Sequence, residues 1–341
     1  TIDNSYYASD TALYRYKVSS EYAMPSLVEY KDGPEGPLQA TLIEIQCDTT
    51  PKPKTIVEYK GEIYFAAKVG AAMGYPESGI ELVACKRGTP DEFRMVSDVY
   101  VGATSSEPGD FAICDGQIFF SAKIRYGTGW DPSSARCLHS TDGLTMTRIY
   151  PEAPPYTSDK FEPANLRVAD DTLYFTTGTG YDRSIYCRIP ETGAISFLTD
   201  SLYQNMTAFG RYIYVVDNDQ ILRTNNSFTG LIPAWEADPE SNYRYPRSPT
   251  VVDNNLFFFV STESYSYGIG PVLWRIDRND VSHLVKTFPA ANIFNSFALN
   301  GIFYFTCKSG SDDEFLWKSD GTADGTVVVK LLGTEFGSRQ S

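Results

Sequence analysis

A short apolar and aromatic run recurs along the chain, each time just after a tight polar turn. It reads GEIYF (61–65), GQIFF (116–120), DTLYF (171–175), RYIYV (211–215), NLFFF (255–259) and GIFYF (301–305), with successive ends 55, 55, 40, 44 and 46 residues apart. A repeat of this period constrains the fold more than any other feature, because recurring units bury their faces against one another. Each run follows another strand-like run across two residues, as in IVEY-KG-EIYF, FAIC-DG-QIFF, LRVA-DD-TLYF and FALN-GIFYF. Asp-Gly, Asn-Gly and Asn-Asn favour the positive φ that two-residue hairpin turns need.

A second hairpin follows each first one. Examples are ELVACKRGTPDEFRMV (81–96), RCLHSTDGLTMTRI (136–149), VLWRIDRNDVSHLVK (272–286) and FLWKSDGTADGTVVVK (315–330). The repeating unit is therefore four antiparallel strands. No segment sustains a 3.6-residue apolar period with caps, so negligible helix is expected. Four-stranded units at this spacing predict an all-β chain, a single β-propeller of four-stranded antiparallel blades over residues 1–341. Six units are visible from about residue 52 onward. Strands such as TALYRYK (11–17), PSLVEYK (25–31) and ATLIEIQC (40–47) precede them. Seven blades are favoured, with strands of residues 1–50 completing the closing blade. Six blades with an N-terminal extension is the alternative.

FLWKSDGTADGTVVVK closely resembles the ELWxxDGTxxGT repeat of bacterial propeller-like proteins. The resemblance implies that Leu316 and Trp317 fill a core-facing strand. It places Asp320, Gly321, Thr322, Gly325 and Thr326 in the turn. VLWRIDRND (272–280) and CLHSTDG (137–143) are degraded copies. Members of that family are often parts of large secreted or surface proteins. The motif is structural, so it implies a fold and no activity. STDGLT (140–145) also resembles a broken sialidase-type Asp-box. It lacks that box's spacing and closing aromatic, and turn chemistry accounts for it.

The connections divide by length. Turns inside hairpins are short, whereas links between hairpins and between blades are long and share one end of an up-and-down blade. Binding residues concentrate on long loops held by rigid scaffolds. The loops at 68–80, 123–135, 177–184 and 261–271 combine Gly with Tyr75, Tyr126, Trp130, Tyr181, Tyr265 and Tyr267, and Asp131, Asp182 and Arg183 lie beside them. Aromatic planes can stack on sugars or anchor a protein, and the charged neighbours can hydrogen-bond. These nine residues are the expected ligand-binding set. No catalytic set is assigned. Asp131, Asp182 and Glu162 are the carboxylates that position would offer to a hydrolase, which needs two at a defined separation.

Charge narrows the partners. Lys and Arg number 29 against 43 Asp and Glu, a net charge of −14. Such a surface repels nucleic acid and anionic lipid. No apolar run reaches the roughly 18–20 residues of a membrane helix, so no membrane insertion is expected. The first residues, TIDNSYYASD, lack the basic and apolar regions of a signal peptide, which fits a cytosolic or an already mature chain. Two histidines, His139 and His283, exclude a multi-histidine metal site. No cofactor is expected. Calcium is the one ion that DND (217–219), DRND (277–280) and SGSDDE (309–314) could attract, though none completes a calcium loop. Six cysteines without a CxxC pair lack a zinc or thioredoxin motif, and most are expected to be buried free thiols.

The sequence thus points to a non-catalytic recognition or assembly module. Its partner would be a glycan or a protein, held on the long-loop face at the cell surface or outside the cell. In one form it would be a subunit of a larger surface assembly. The alternative is a carbohydrate-active hydrolase or lyase using carboxylates and Tyr on the same face.

Overall fold

The computed structural model describes residues 6–8, 13–17, 26–33, 36–44, 56–68, 79–86, 93–126, 133–150, 162–178, 183–200, 206–217, 219–237, 243–262, 270–288, 291–309 and 313–334. These contain no helix and fall into seven four-stranded antiparallel sheets. In every sheet the strands pair in chain order. The first sheet is β1 (Tyr6–Ala8), β2 (Leu13–Lys17), β3 (Ser26–Gly33) and β4 (Gly36–Glu44), all from the N-terminal segment. The second is β5 (Ile56–Tyr59), β6 (Glu62–Lys68), β7 (Ile80–Lys86) and β8 (Phe93–Ser97). The third is β9 (Gly109–Cys114), β10 (Gln117–Tyr126), β11 (Ser133–Thr141) and β12 (Met146–Tyr150). The fourth is β13 (Ala164–Ala169), β14 (Thr172–Thr177), β15 (Ser184–Arg188) and β16 (Ile195–Asp200). The fifth is β17 (Met206–Phe209), β18 (Tyr212–Asp217), β19 (Gln220–Thr224) and β20 (Leu231–Glu236). The sixth is β21 (Tyr243–Val252), β22 (Asn255–Thr262), β23 (Val272–Asp277) and β24 (Ser282–Thr287). The seventh is β25 (Ala291–Leu299), β26 (Ile302–Ser309), β27 (Asp313–Ser319) and β28 (Val327–Thr334). This is the blade make-up of a β-propeller, with seven four-stranded sheets. The chain divides into two compact units, Thr1–Ile195 and Ser196–Ser341.

The recurring aromatic runs are the second strands of their sheets, and their composition follows from burial on both faces. In a strand, successive side chains point to opposite faces. In the first unit, Phe120 packs with Tyr64, Leu82 and Ala84 of the second sheet. Its neighbour Phe119 packs with Leu166, Leu173 and Phe175 of the fourth. In the second unit, Leu256, Phe258 and Val260 pack with Phe209, Tyr214 and Ile221 of the fifth sheet. Phe257 and Phe259 alternate with them and pack with Phe303 and Phe305 of the seventh. A strand buried on one face alternates apolar with polar, whereas these strands carry apolar residues at consecutive positions, as in IFF (118–120) and LFFFV (256–260).

The first-hairpin turns have the backbone that their residues favour. Asp115 and Gly116 have φ of 49° and 65°, Asp170 and Asp171 47° and 56°, and Asn300 and Gly301 49° and 70°. In the sixth sheet Val252 pairs with Asn255, so that turn centres on Asp253 and Asn254, one residue before the Asn-Asn pair.

Turns of one sheet are tied to the next. In the first unit the Tyr59 hydroxyl donates to the Gly116 carbonyl, and the Cys114 thiol donates to the Asp171 carbonyl at 3.0 Å. Arg94 on β8 donates from Nη1 to the Gly143 carbonyl at 2.8 Å and binds Glu62 through Nη2 at 2.5 Å. The Tyr64 hydroxyl donates to the same carboxylate at 2.8 Å. Gly143 has φ +100°, and a Cβ there would lie 2.5 Å from the Tyr64 hydroxyl. In the second unit Arg275 on β23 donates from Nε to the Gly321 carbonyl at 3.1 Å and from Nη1 to Asn255 Oδ1 at 2.8 Å. Gly321 has φ +92° and lies over Phe257. Glu62 and Asn255 both open the second strand of their sheet, and Tyr64 and Phe257 follow two residues later. The two seams therefore share one plan, although the arginine comes from the fourth strand of its sheet in one and from the third in the other.

The DGT segment of the seventh sheet folds on its own side chains. Asp320 Oδ1 accepts from the Thr322 amide at 2.9 Å and from its hydroxyl at 2.7 Å, and the Gly325 amide donates to Thr322 Oγ1 at 2.9 Å. Trp317 on β27 packs edge-on against Phe288 and stacks on Phe305. In the third sheet Asp142 Oδ1 likewise accepts from the amides of Leu144 and Thr145, at 2.9 and 2.8 Å, so STDGLT is a turn.

Candidate functional site

The link from β8 to β9, residues 98–108, is a long connection between sheets that the structure describes completely. It is rich in small and polar residues, DVYVGATSSEP, and takes its shape from its contacts. The Gly79 amide donates to the Gly102 carbonyl at 3.1 Å, and the amides of Ser106 and Glu107 both donate to the Ile80 carbonyl at 3.1 Å. Ser105 Oγ accepts from the Ile80 amide at 2.9 Å. A Cβ at Gly79 would collide with the backbone of Thr104 and Ser105, so only glycine lets the connection lie this close.

Glu81, the second residue of β7, is 0% exposed. Its Oε1 accepts from the Ser106 amide at 3.0 Å, and its Oε2 accepts from the Val99 amide at 3.0 Å and contacts Ser106 Oγ at 2.5 Å. Burial pushes its carboxyl up to about 7. The Ser106 and Val99 hydrogen bonds oppose that shift, and the nearby Asp98 charge adds to it. Asp98 Oδ1 is itself buried with no hydrogen-bond partner. The other end of the connection is held by the third sheet. The Lys123 amide donates to the Ser106 carbonyl at 2.7 Å. Glu107 Oε2 lies 2.8 Å from Lys123 Nζ and 3.3 Å from Arg136 Nη2. Arg136 also reaches the carbonyls of Glu107 and Ser121. One connection thus joins the start of β7 to β10 and β11.

The nine expected ligand residues fare unevenly. Tyr75, Trp130, Asp131, Tyr181, Asp182, Tyr265 and Tyr267 lie outside the described residues. Tyr126 ends β10 and pairs with Ser133, and its side chain also lies outside them. Arg183 precedes β15 and is half-buried, and its Nε has no hydrogen-bond partner. Glu162 is exposed ahead of β13. Glu81, Ser106 and Arg136 carry the described part of this end, and none was in the expected set. The available signal was a single carboxylate inside the otherwise apolar run IELVAC.

The chemistry held here is limited. Among the described residues no cluster of three His, Cys, Asp or Glu could hold a metal. Both histidines are engaged away from this end. His139 is buried, stacks on Phe120 and contacts the Cys137 carbonyl through Nδ1 at 3.1 Å, and burial pulls it down to about 4. His283 contacts Asp277 Oδ2 through Nε2 at 2.9 Å in the β23–β24 hairpin. Neither is hydrogen-bonded to a hydroxyl or thiol among the described residues, as an activated nucleophile requires. Cys85, Cys114, Cys137, Cys187 and Cys307 are buried free thiols, and burial pushes Cys114, Cys137, Cys187 and Cys307 up to about 11. A raised value disfavours the thiolate, so these four are poor nucleophiles. Cys47 lies outside the described residues.

No family model and no curated protein match the sequence. The fold matches solved peptidases. A puromycin-hydrolyzing peptidase of Mycobacterium tuberculosis has a TM-score of 0.58 at 10% identity, covering 99% of this chain and 55% of that one. A prolyl endopeptidase also gives 0.58 at 10% identity, covering 98% and 51%. Dipeptidyl peptidase 4 of Porphyromonas gingivalis gives 0.53 at 12% identity, covering 96% and 51%. The chain spans about half the length of these peptidases. At such identities the likeness shows a shared fold.

These matches correct the expected function. The glycan- or protein-binding surface module, and its carbohydrate-active hydrolase or lyase alternative, lose their support, because the matched propeller-type folds belong to peptidases. The error has a physical source. Aromatic residues beside glycine in loops are equally suited to sugars, peptides and loop packing, so their presence does not select a ligand.

Proposed function

We propose that this chain is the propeller part of a peptidase-type protein. In this reading it handles peptide, and hydrolysis belongs to a hydrolase part that it accompanies. One observation carries the reading. Nearly the whole chain, 96–99% in the matches cited, superposes on about half of each peptidase. Among the described residues both histidines are engaged with a backbone carbonyl or a carboxylate, which supports a division of labour in which this part does no acyl chemistry.

The test is to incubate the purified chain with an unstructured peptide library, with folded proteins and with a fluorophosphonate probe. The expected result is retention of peptides by native mass spectrometry, no retention of folded proteins, no cleavage and no covalent label. Cleavage or labelling by the chain itself would overturn the division of labour. Failure to retain any peptide at millimolar concentration would overturn peptide handling.

A further inference from the structure

Glu81 is buried on β7 among Leu82, Val83, Ala84 and Cys85. A carboxylate withdrawn from water at this depth is costly unless it is paired or takes a proton. Among the described residues no cation pairs with it. Across the ladder it faces Ala67 of β6, and its neighbour Leu82 faces Ser97 of β8. The charged group that acts on it is Asp98, on the connection itself. Lys123 of β10 and Arg136 of β11 are committed to Glu107.

The Val99 and Ser106 amides suit either form, whereas burial, the Asp98 charge and the link from Ser106 to Ile80 suit the neutral acid. Ser106 Oγ lies between Glu81 Oε2 at 2.5 Å and the Ile80 carbonyl at 3.2 Å. A serine hydroxyl has one proton to give. With Glu81 ionised, that proton must point at the carboxylate, and the Ile80 contact goes without it. With Glu81 protonated, the acid donates to Ser106 Oγ and Ser106 donates to Ile80. The amides of Val99 and Ser106 then still have carboxyl oxygens to reach. Ionisation also sets the Glu81 charge against that of Asp98.

We infer that Glu81 is a proton-operated catch for the 98–108 connection: the neutral acid closes the relay through Ser106 to Ile80, and loss of its proton to water weakens the hold on β7 that the bonds to Gly79 and Ile80 share. The catch is independent of the peptide-handling reading, and its test involves no peptide. The sign follows from linkage. A carboxyl held above its unfolded value stabilises the closed form fully below about pH 4.5, and that stabilisation is lost as pH rises through about 7.

Hydrogen exchange at the Val99 and Ser106 amides tests the catch, with protection factors corrected for intrinsic rates. Protection is expected to fall roughly thirtyfold between pH 5.5 and pH 8.5, given a closed-state value of about 7 and an open-state value of about 4.5. Glu81→Gln, a neutral isostere that can donate to Ser106, is expected to keep both amides protected with no dependence on pH. Equal protection at both pH values in the parent, or a persisting pH dependence in Glu81→Gln, would overturn the catch. If the variant does not fold, the carboxyl carbon shift of Glu81 in the parent still decides. Titration above pH 6 is expected, and titration near 4.5 would overturn it.

Discussion

The seam between the second and third sheets and the seam between the sixth and seventh are built alike and charged differently. In both, an arginine grips the carbonyl of a positive-φ glycine in the neighbouring turn, and a ring on the second strand lies beneath that glycine. The first uses Glu62 and Tyr64 to orient Arg94, and the second uses Asn255 and Phe257 to orient Arg275. The arginine pairs with a carboxylate in one seam and an amide in the other. The geometry is therefore set by the glycine carbonyl and the guanidinium fork, and the oriented partner need only accept a hydrogen bond. What the carboxylate adds is sensitivity to pH and salt. Arg94 holds the Glu62 carboxyl below its ordinary range, and burial, helped by Glu62, holds the Tyr64 hydroxyl up at about 12.

Six substitutions break or sharpen this comparison. The largest effect is expected where the seams share nothing polar. Phe303 stacks on Phe257 with ring centroids 4.7 Å apart and is fully buried. Phe303→Ala should cost about 3–5 kcal/mol in urea unfolding, and a cost below that of the polar substitutions would place the strength of the seam elsewhere.

Gly143→Ala and Gly321→Ala come next, at about 1–3 kcal/mol each, since both force a side chain into left-handed backbone. Gly143 should suffer more. Its added Cβ meets the Tyr64 hydroxyl at 2.5 Å, whereas that of Gly321 meets the flexible Arg275 Cδ at 3.1 Å. The reverse order in thermal unfolding would refute the close approach of Gly143 to Tyr64.

Arg94→Ala and Arg275→Ala should each cost about 1–2 kcal/mol at pH 7 through lost hydrogen bonds to the glycine carbonyls. Their pH dependence should differ. Glu62 has a lowered carboxyl value, so the stability it gives is present above about pH 4.5 and is lost as pH falls through its folded value. The cost of Arg94→Ala should therefore shrink at pH 3, and that of Arg275→Ala should not.

The smallest effect belongs to Glu62→Gln, which gives the first seam the neutral chemistry of the second. It should cost about 0.5 kcal/mol at low salt and nothing measurable at 1 M salt. A cost above about 2 kcal/mol would mean that the charge, and not the acceptor, orients Arg94.

The repeat itself was legible because two local signals agree in it, the turn residues with positive φ and the apolar second strand. Asp115-Gly116 and Asn300-Gly301 lie where turn chemistry alone puts them. The seams were not legible. Arg94 and Arg275 look like ordinary strand residues, and their partners lie 49 and 46 residues away in sequence. Glu81 was overlooked for a related reason. A lone carboxylate in an apolar strand does not say which connection will fold over it, and Val99 and Ser106 are 18 and 25 residues off. The loop aromatics that did stand out, Trp130 and Tyr181 among them, lie outside the described residues.

The two-faced burial of the second strands also shapes how sequence change spreads through the molecule. Phe119 and Phe120 are covalent neighbours, yet each shares its packing with a different sheet. Adjacent positions are thus free to drift separately, while positions a whole repeat apart must drift together. Inheritance in such a chain runs across the strands rather than along them. Its coding sequence interleaves two messages, one read at alternate positions by the sheet before and one at the positions between them by the sheet after.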